Sequence, residues 1–280
     1  MINLDRIKKG SIVRMKSDES SNYIYYVKNI SKTDKTLPIA LLKGLTIRIE
    51  TSAYLENLEL VENGQLERIL QQFENKINSR TDGIIKQSKS EIFNENDTRK
   101  MRTNIGGTIL HLDGDKQYAA KSERVYNRLG LNAVVKSVKE NKQPYEIKGL
   151  LNKYNPDILI ITGHDGMIKK GYSYNDIYNY RNSKYFVKSV IEARKWEQGA
   201  NKIAIFAGAC QSYYDAIMEE GANFASSPAR ILIDFMDPLI IAQKIAITSP
   251  YRYVTIESIR DQIRNGERGV SGIGSYGKLH

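Results

Sequence analysis

Asp157-Ile158-Leu159-Ile160-Ile161-Thr162-Gly163-His164-Asp165-Gly166 and Ile203-Ala204-Ile205-Phe206-Ala207-Gly208-Ala209-Cys210-Gln211-Ser212 stand apart from the rest of this 280-residue sequence. Each is an unbroken apolar run that stops at small residues and one reactive side chain. Such runs read as buried strands of a parallel sheet covered on both faces by helices. Ligands of open α/β sheets sit just beyond the carboxyl ends of the strands. His164 and Cys210 therefore emerge at the edge where chemistry takes place. Cys210 is the sole cysteine, and His164 is one of three histidines. A thiol and an imidazole on neighbouring strand ends are what a thiol nucleophile needs.

A lone cysteine after an apolar strand is most often a small buried hydrophobe. Three local features favour chemistry instead. The strand ends at Ala207, which puts Cys210 in a turn, and Gly208 and Ala209 leave room for a substrate backbone. Ser212-Tyr213-Tyr214-Asp215 has capping-box spacing, which predicts a helix from Ser212 to Glu220 stopped by Gly221. A helix N-terminus beside a thiol favours the thiolate and is expected to lower the pKa of Cys210. His164 lies in a polar turn flanked by Gly163 and Gly166, not in an apolar run.

A strand leading to His, followed 46 positions later by a strand leading to Ala-Cys, resembles the caspase-like cysteine peptidases, which include clostripain, gingipain, legumain and separase. The wider wording is more specific. Leu110-His111-Leu112-Asp113-Gly114-Asp115, Ile161–Gly166, Tyr180-Arg181-Asn182-Ser183, Gly208–Ser212 and Gly221–Pro228 are together similar to the YabG family of sporulation peptidases, along essentially the whole chain. One departure from the broader group is His-Asp-Gly in place of His-Gly. The extra Asp165 leaves open which N–H group completes an oxyanion hole.

Composition bounds the rest. There are 42 Lys and Arg against 32 Asp and Glu, a formal charge of +10, and 41% of the residues are hydrophobic. That charge favours acidic partners, but it is spread along the chain without a basic tail, so nucleic acid is not expected as a partner. No zinc-ligand spacing is present, and a single cysteine excludes an internal disulfide and fits a reducing compartment. No signal core and no apolar stretch of bilayer length is found, so the expected location is cytoplasmic.

Three regions follow. Residues 1–61 hold short β-rich runs, Ser11–Met15, Tyr23–Ile30, Pro38–Leu42 and Thr46–Glu50, expected to form a small SH3-like barrel. Residues 62–104 are expected to be a helix to about residue 80, with Leu66, Ile69, Leu70, Phe73 and Ile77 at helical spacing, and then a polar linker from 79 that carries Arg80, Lys86, Lys89, Arg99, Lys100 and Arg102. Residues 105–280 alternate strand and helix. Strands are expected near 106–111, 131–135, 157–161, 203–207 and 222–226, and helices near 118–129, 144–154, 183–195, 212–220 and 237–247. The fold class is α/β: a caspase-like core with a mainly parallel sheet flanked by helices, behind a small β-rich domain. The glycine-rich end, Gly266–Gly277, reads equally as a tail or as a packed loop.

The expected chemistry is acyl transfer without a cofactor or metal. Cys210 attacks as thiolate, His164 holds the thiolate or protonates the leaving amine, and the N–H groups of Cys210 and of Gly166 or Asp165 bind the oxyanion. Asp165 and Thr162 are the nearest candidates for a group that orients His164. The resemblance implies a sporulation-associated endopeptidase of the mother-cell cytoplasm. It would act on spore coat or spore-surface precursor proteins, at the forming coat, and cleave after Arg. A buried guanidinium needs a carboxylate opposite it. In caspase-like folds the loop after the first core strand borders that pocket, which nominates Asp113 and Asp115, with Ser226, Ser227 and Asp234 as a second rank. His111 reads as structural. Arg80, Arg99 and Arg102 offer self-processing sites, cut in trans if the tether is short. Two rival classes remain open: a non-catalytic coat-binding or nucleic-acid-binding adaptor, and a nucleotide-binding domain, which lacks the phosphate-loop spacing.

Overall fold

The computed structural model describes residues 6–18, 22–33, 36–94, 106–168, 173–197 and 203–280. The N-terminal strands β1 (Ile12–Met15), β2 (Tyr25–Thr33), β3 (Thr36–Gly44), β4 (Glu50–Tyr54) and β5 (Leu58–Leu60) form an antiparallel sheet in the order β4-β3-β2-β1-β5. Its core is Val13, Tyr25, Val27, Ala40, Leu42, Leu55 and Leu58. The fourth strand starts at Glu50, so most of the expected strand Thr46–Glu50 is instead a connection between β3 and β4. That connection bears on the candidate site.

Helix α1 runs from Asn63 to Asn94. The stretch from 79 to 94 is therefore helical, not a linker, because Ile77 and Ile84 continue the apolar stripe into a core shared with Ile109, Ile158 and Phe206. Arg80 pairs with Asp234 at 2.5 Å and donates to the Gln262 carbonyl, so it lacks the extended backbone a protease cuts. Arg99 and Arg102 lie outside the described residues.

A second sheet has six strands, β6 (Ile109–Asp113), β7 (Ala133–Ser137), β8 (Ile158–Thr162), β9 (Ala204–Ala207), β10 (Phe224–Ser226) and β12 (Val270–Gly272). The order is β12-β10-β9-β8-β6-β7, parallel throughout except for β12. Side chains alternate cleanly across it. Ile109, Ile158, Ile160, Ala204 and Phe206 face α1, α2 (Lys116–Arg128) and α6 (Asp237–Ile247). Leu110, Leu112, Leu159, Ile161, Ile205 and Ala207 face α3 (Gln143–Tyr154), α4 (Ser183–Trp196) and α5 (Tyr214–Glu219). Two faces covered by helices are why these strands read as continuous apolar runs.

The glycine-rich end packs. β12 joins the sheet edge, and β13 (Ser275–Tyr276) pairs with β11 (Tyr253–Val254). Among the described residues, no helix is long and apolar enough to cross a membrane.

Phe206 sits 1% exposed in the middle strand face. Phe206→Ala should cost about 3–5 kcal/mol of unfolding free energy, whereas Tyr145→Ala, at a 78% exposed position, should stay within about 0.5 kcal/mol. Urea denaturation of the two variants checks the packing, and equal losses would contradict it.

Candidate active site

β8 and β9 are hydrogen-bonded neighbours in register, Ile161 opposite Ala207. Their extensions carry Gly163-His164 and Gly208-Ala209-Cys210 out from adjacent strand ends at the carboxyl edge. Gly208 takes φ +112°, and a side chain there would collide with Ser226 Oγ, so the turn into Cys210 requires glycine. Glu140, just after β7, accepts from the His164 backbone N–H at 2.7 Å and fixes the His164 turn. Gly114 and Gly163 leave the space that its carboxylate fills.

His164 Nε2 lies 2.8 Å from the Gly44 carbonyl, at the end of β3. A carbonyl only accepts, so Nε2 carries the proton and Nδ1 presents a bare lone pair. Nδ1 is buried and has no hydrogen-bond partner. Burial foremost, then the nearby Lys43 charge, lowers the His164 pKa to about 3. The tautomer suits a base, and the orienting group is the Gly44 carbonyl. The side chains expected for that task lie elsewhere. Thr162 Oγ1 bridges His111 and Asp113, and the Asp165 carboxylate points away into other contacts.

Cys210 is fully buried, and its Sγ accepts from the Ile233 N–H at 3.4 Å. Burial pushes the thiol pKa up to about 12, opposed by the Ile233 N–H and by the guanidinium and backbone N–H of Arg48. The expected lowering by a helix N-terminus is overturned. Helix α5 has six residues and starts only at Tyr214, without a side-chain cap. The Ser212 hydroxyl is committed to Asp165 and to the Ala209 N–H. Among the described residues, Cys210 and His164 share no hydrogen bond. The Tyr118 ring lies edge-on 5.5 Å from the His164 ring.

Asp165 ties the two turns together. Its carboxylate accepts from Gly166 N–H, Asn182 N–H, Ser183 Oγ and Ser212 Oγ at 2.5–2.9 Å. Burial raises its pKa to about 6 against the pull of those bonds. The Gly166 N–H is thus spent on Asp165 and is not free for an oxyanion. The Asp165 N–H instead faces the Arg48 carbonyl at 3.5 Å.

Arg48 was not a candidate from sequence. It projects from the β3–β4 connection with 1% exposure, and Nη1 lies 2.7 Å from Asp113 Oδ2, itself fully buried. Its guanidinium stacks 4.8 Å from the Tyr118 ring centre and 5.3 Å from that of Phe235. Nη1 is satisfied only through that ion pair, while Nε and Nη2 make no hydrogen bond, and each buried donor left unpaired costs on the order of 1–3 kcal/mol. Asp113 also accepts from Thr162 Oγ1 and from the Asp115 N–H.

The remaining candidates do other things. Asp115 caps α2 and pairs with Lys43 at 2.5 Å. Asp234 anchors Lys76 and Arg80 of α1. Ser226 Oγ donates to the Ala209 carbonyl, and Ser227 Oγ to that of Ile231. His111 is buried between Tyr126 and Thr162 and is structural in this setting. No cluster of metal-ligating side chains is present among the described residues.

Because the native His164 pKa lies below its ordinary 6.5, the unfolded chain takes up a proton there that the folded chain refuses. This contribution to stability is complete above pH 6.5 and is lost as pH falls. Between pH 7 and pH 5 it should weaken folding by about 2 kcal/mol. His164→Asn should flatten the wild-type slope by that amount in urea midpoints at the two pH values. Parallel slopes would show that His164 is not held neutral.

A family model described as YabG peptidase U57 matches residues 8–280. The Sporulation-specific protease YabG of Bacillus subtilis (strain 168) is 33% identical over 277 residues, which cover 96% of this chain and 95% of that protein. No solved structure matches the chain significantly. The family match takes in the strands of the N-terminal sheet, the Arg48 connection and both reactive turns. This chain therefore belongs to the YabG family of peptidases.

Proposed function

We propose that the chain is a sporulation cysteine endopeptidase that uses Cys210 and His164 to cleave spore coat or spore-surface precursor proteins after arginine, on a caspase-like core. The observation that supports it most is the delivery of a thiol and a correctly tautomerised imidazole from the adjacent ends of β8 and β9. His164 Nδ1 takes the thiol proton, and Sγ attacks the scissile carbonyl carbon. The Asp165 N–H stabilises the oxyanion. Collapse passes the proton from Nδ1 to the leaving amine, and water hydrolyses the thioester. The chemistry needs no metal or cofactor. The preference for arginine is supported by Asp113, a buried carboxylate that receives a guanidinium between two aromatic rings.

Cys210→Ala and His164→Ala should each abolish cleavage of an arginine-containing coat precursor, with mass spectrometry mapping the wild-type cuts. Normal turnover by either variant would remove the proposed nucleophile or base, whereas a wild type that cleaves no precursor would favour an adaptor. Asp113→Asn should reduce cleavage after Arg more than about tenfold, since losing a buried charge partner costs on the order of 2 kcal/mol. Wild-type rates in that variant would place the arginine subsite elsewhere.

A further inference from the structure

We propose that the connection from Gly44 to Glu50 is an internal substrate mimic: its Arg48 occupies the arginine subsite formed by Asp113, Tyr118 and Phe235 and keeps the site closed until a substrate arginine displaces it. The proposal rests on the reading of Asp113 as the seat of substrate arginine and adds to it how access is governed.

Closure is the first observation. Cys210, His164, Asp113 and Arg48 are all at most 1% exposed. Ile47 and Ile49 pack in one cluster with Cys210 and Ile233. No polypeptide reaches Sγ while this connection is seated.

The mimicry extends to the backbone. The Glu50 N–H donates to the Asp165 carbonyl at 2.8 Å, and the Asp165 N–H faces the Arg48 carbonyl, so Ile49 and Asp165 form an isolated bridge of parallel sense. Adding a strand beside a reactive turn is how extended peptides are commonly held. Gly166 allows this approach, because a side chain there would strike the Glu50 carbonyl. Gly44 likewise allows the tight path past Ile47, closed by the Gly44 N–H on the Ile49 carbonyl at 2.8 Å.

The fit is substrate-like but imperfect. The Arg48 carbonyl sits at a long 3.5 Å from the Asp165 N–H, and its guanidinium reaches Asp113 through Nη1 alone, with no hydrogen bond to Nε or Nη2. An arginine on a free chain, able to align its fork with Asp113, competes for the same seat.

The test uses the full chain in a Cys210→Ala background, which removes cleavage, and a fluorescent peptide with a single arginine. Adding Arg48→Ala should tighten binding at least about tenfold, because the closed state no longer taxes affinity. A synthetic peptide of residues 44–50 should compete, and the same peptide with Ala in place of Arg48 should not. With Arg48 left in place, saturating arginyl peptide should speed amide exchange at Glu50, a readout independent of whether the Arg48 variant folds. With Cys210 restored, Arg48→Ala should raise kcat/KM on the arginyl peptide. Unchanged affinity, no competition, or a Glu50 amide that stays protected under bound peptide overturns the proposal. So does Cys210-dependent cleavage between Arg48 and Ile49, which would make the segment a substrate. The binding and exchange arms do not need Cys210. A catalytically silent wild type would therefore sink the peptidase assignment alone, and an active wild type without these binding changes would sink the mimic alone.

Discussion

The buried ion pair between Arg48 and Asp113 joins the two halves of the molecule, and the arrangement of the site follows from it. Burying a guanidinium and a carboxylate is costly unless both are well satisfied. Asp113 is: it sits at the end of β6 with Thr162 Oγ1 and the Asp115 N–H on its oxygens. Arg48 has the ion pair and two aromatic faces, but no hydrogen bond at Nε or Nη2. Removing either partner leaves the other as an uncompensated buried charge, the more damaging case. Docking Arg48 also brings the Gly44 carbonyl onto His164 and the Glu50 N–H onto Asp165. The N-terminal sheet thus both covers the reactive edge and sets the tautomer of its imidazole.

The electrostatics of the closed form are those of a dry site. The thiol is pushed up to about 12 and the imidazole down to about 3, both chiefly by desolvation. Neither group is charged in that state. In the proposed mechanism, ionising the pair requires water or a charged substrate to enter, which would make access and activation one event. Asp165 spans the same gap by different means, binding Ser183 from α4 and Ser212 from the Cys210 turn, so that the two turns keep their spacing whatever covers them.

Much of this was legible in the sequence where a pattern reports its own surroundings. The runs at 158–162 and 204–207 are apolar on both faces because helices cover both faces, and their ends place His164 and Cys210 directly. The capping-box spacing at Ser212 misled because the hydroxyl is drawn to Asp165, a partner 47 positions away. Arg48 was hidden for a related reason. In Leu45-Thr46-Ile47-Arg48-Ile49-Glu50 the alternation reads as a half-exposed strand, and nothing local says that Arg48 faces Asp113 at the end of β6. Glu140 sits in the charged turn Lys139-Glu140-Asn141-Lys142, which reads as solvated until the folded sheet brings His164 over it.

With one arginine seat proposed beside one nucleophile, the most direct measurement is a crystal structure of the wild-type chain after reaction with a peptidyl arginyl chloromethyl ketone. The predicted result is a thioether at Cys210, the ligand guanidinium on Asp113 between Tyr118 and Phe235, and Arg48 displaced. An unmodified Cys210, or a ligand guanidinium seated away from Asp113 with Arg48 still in place, would contradict it.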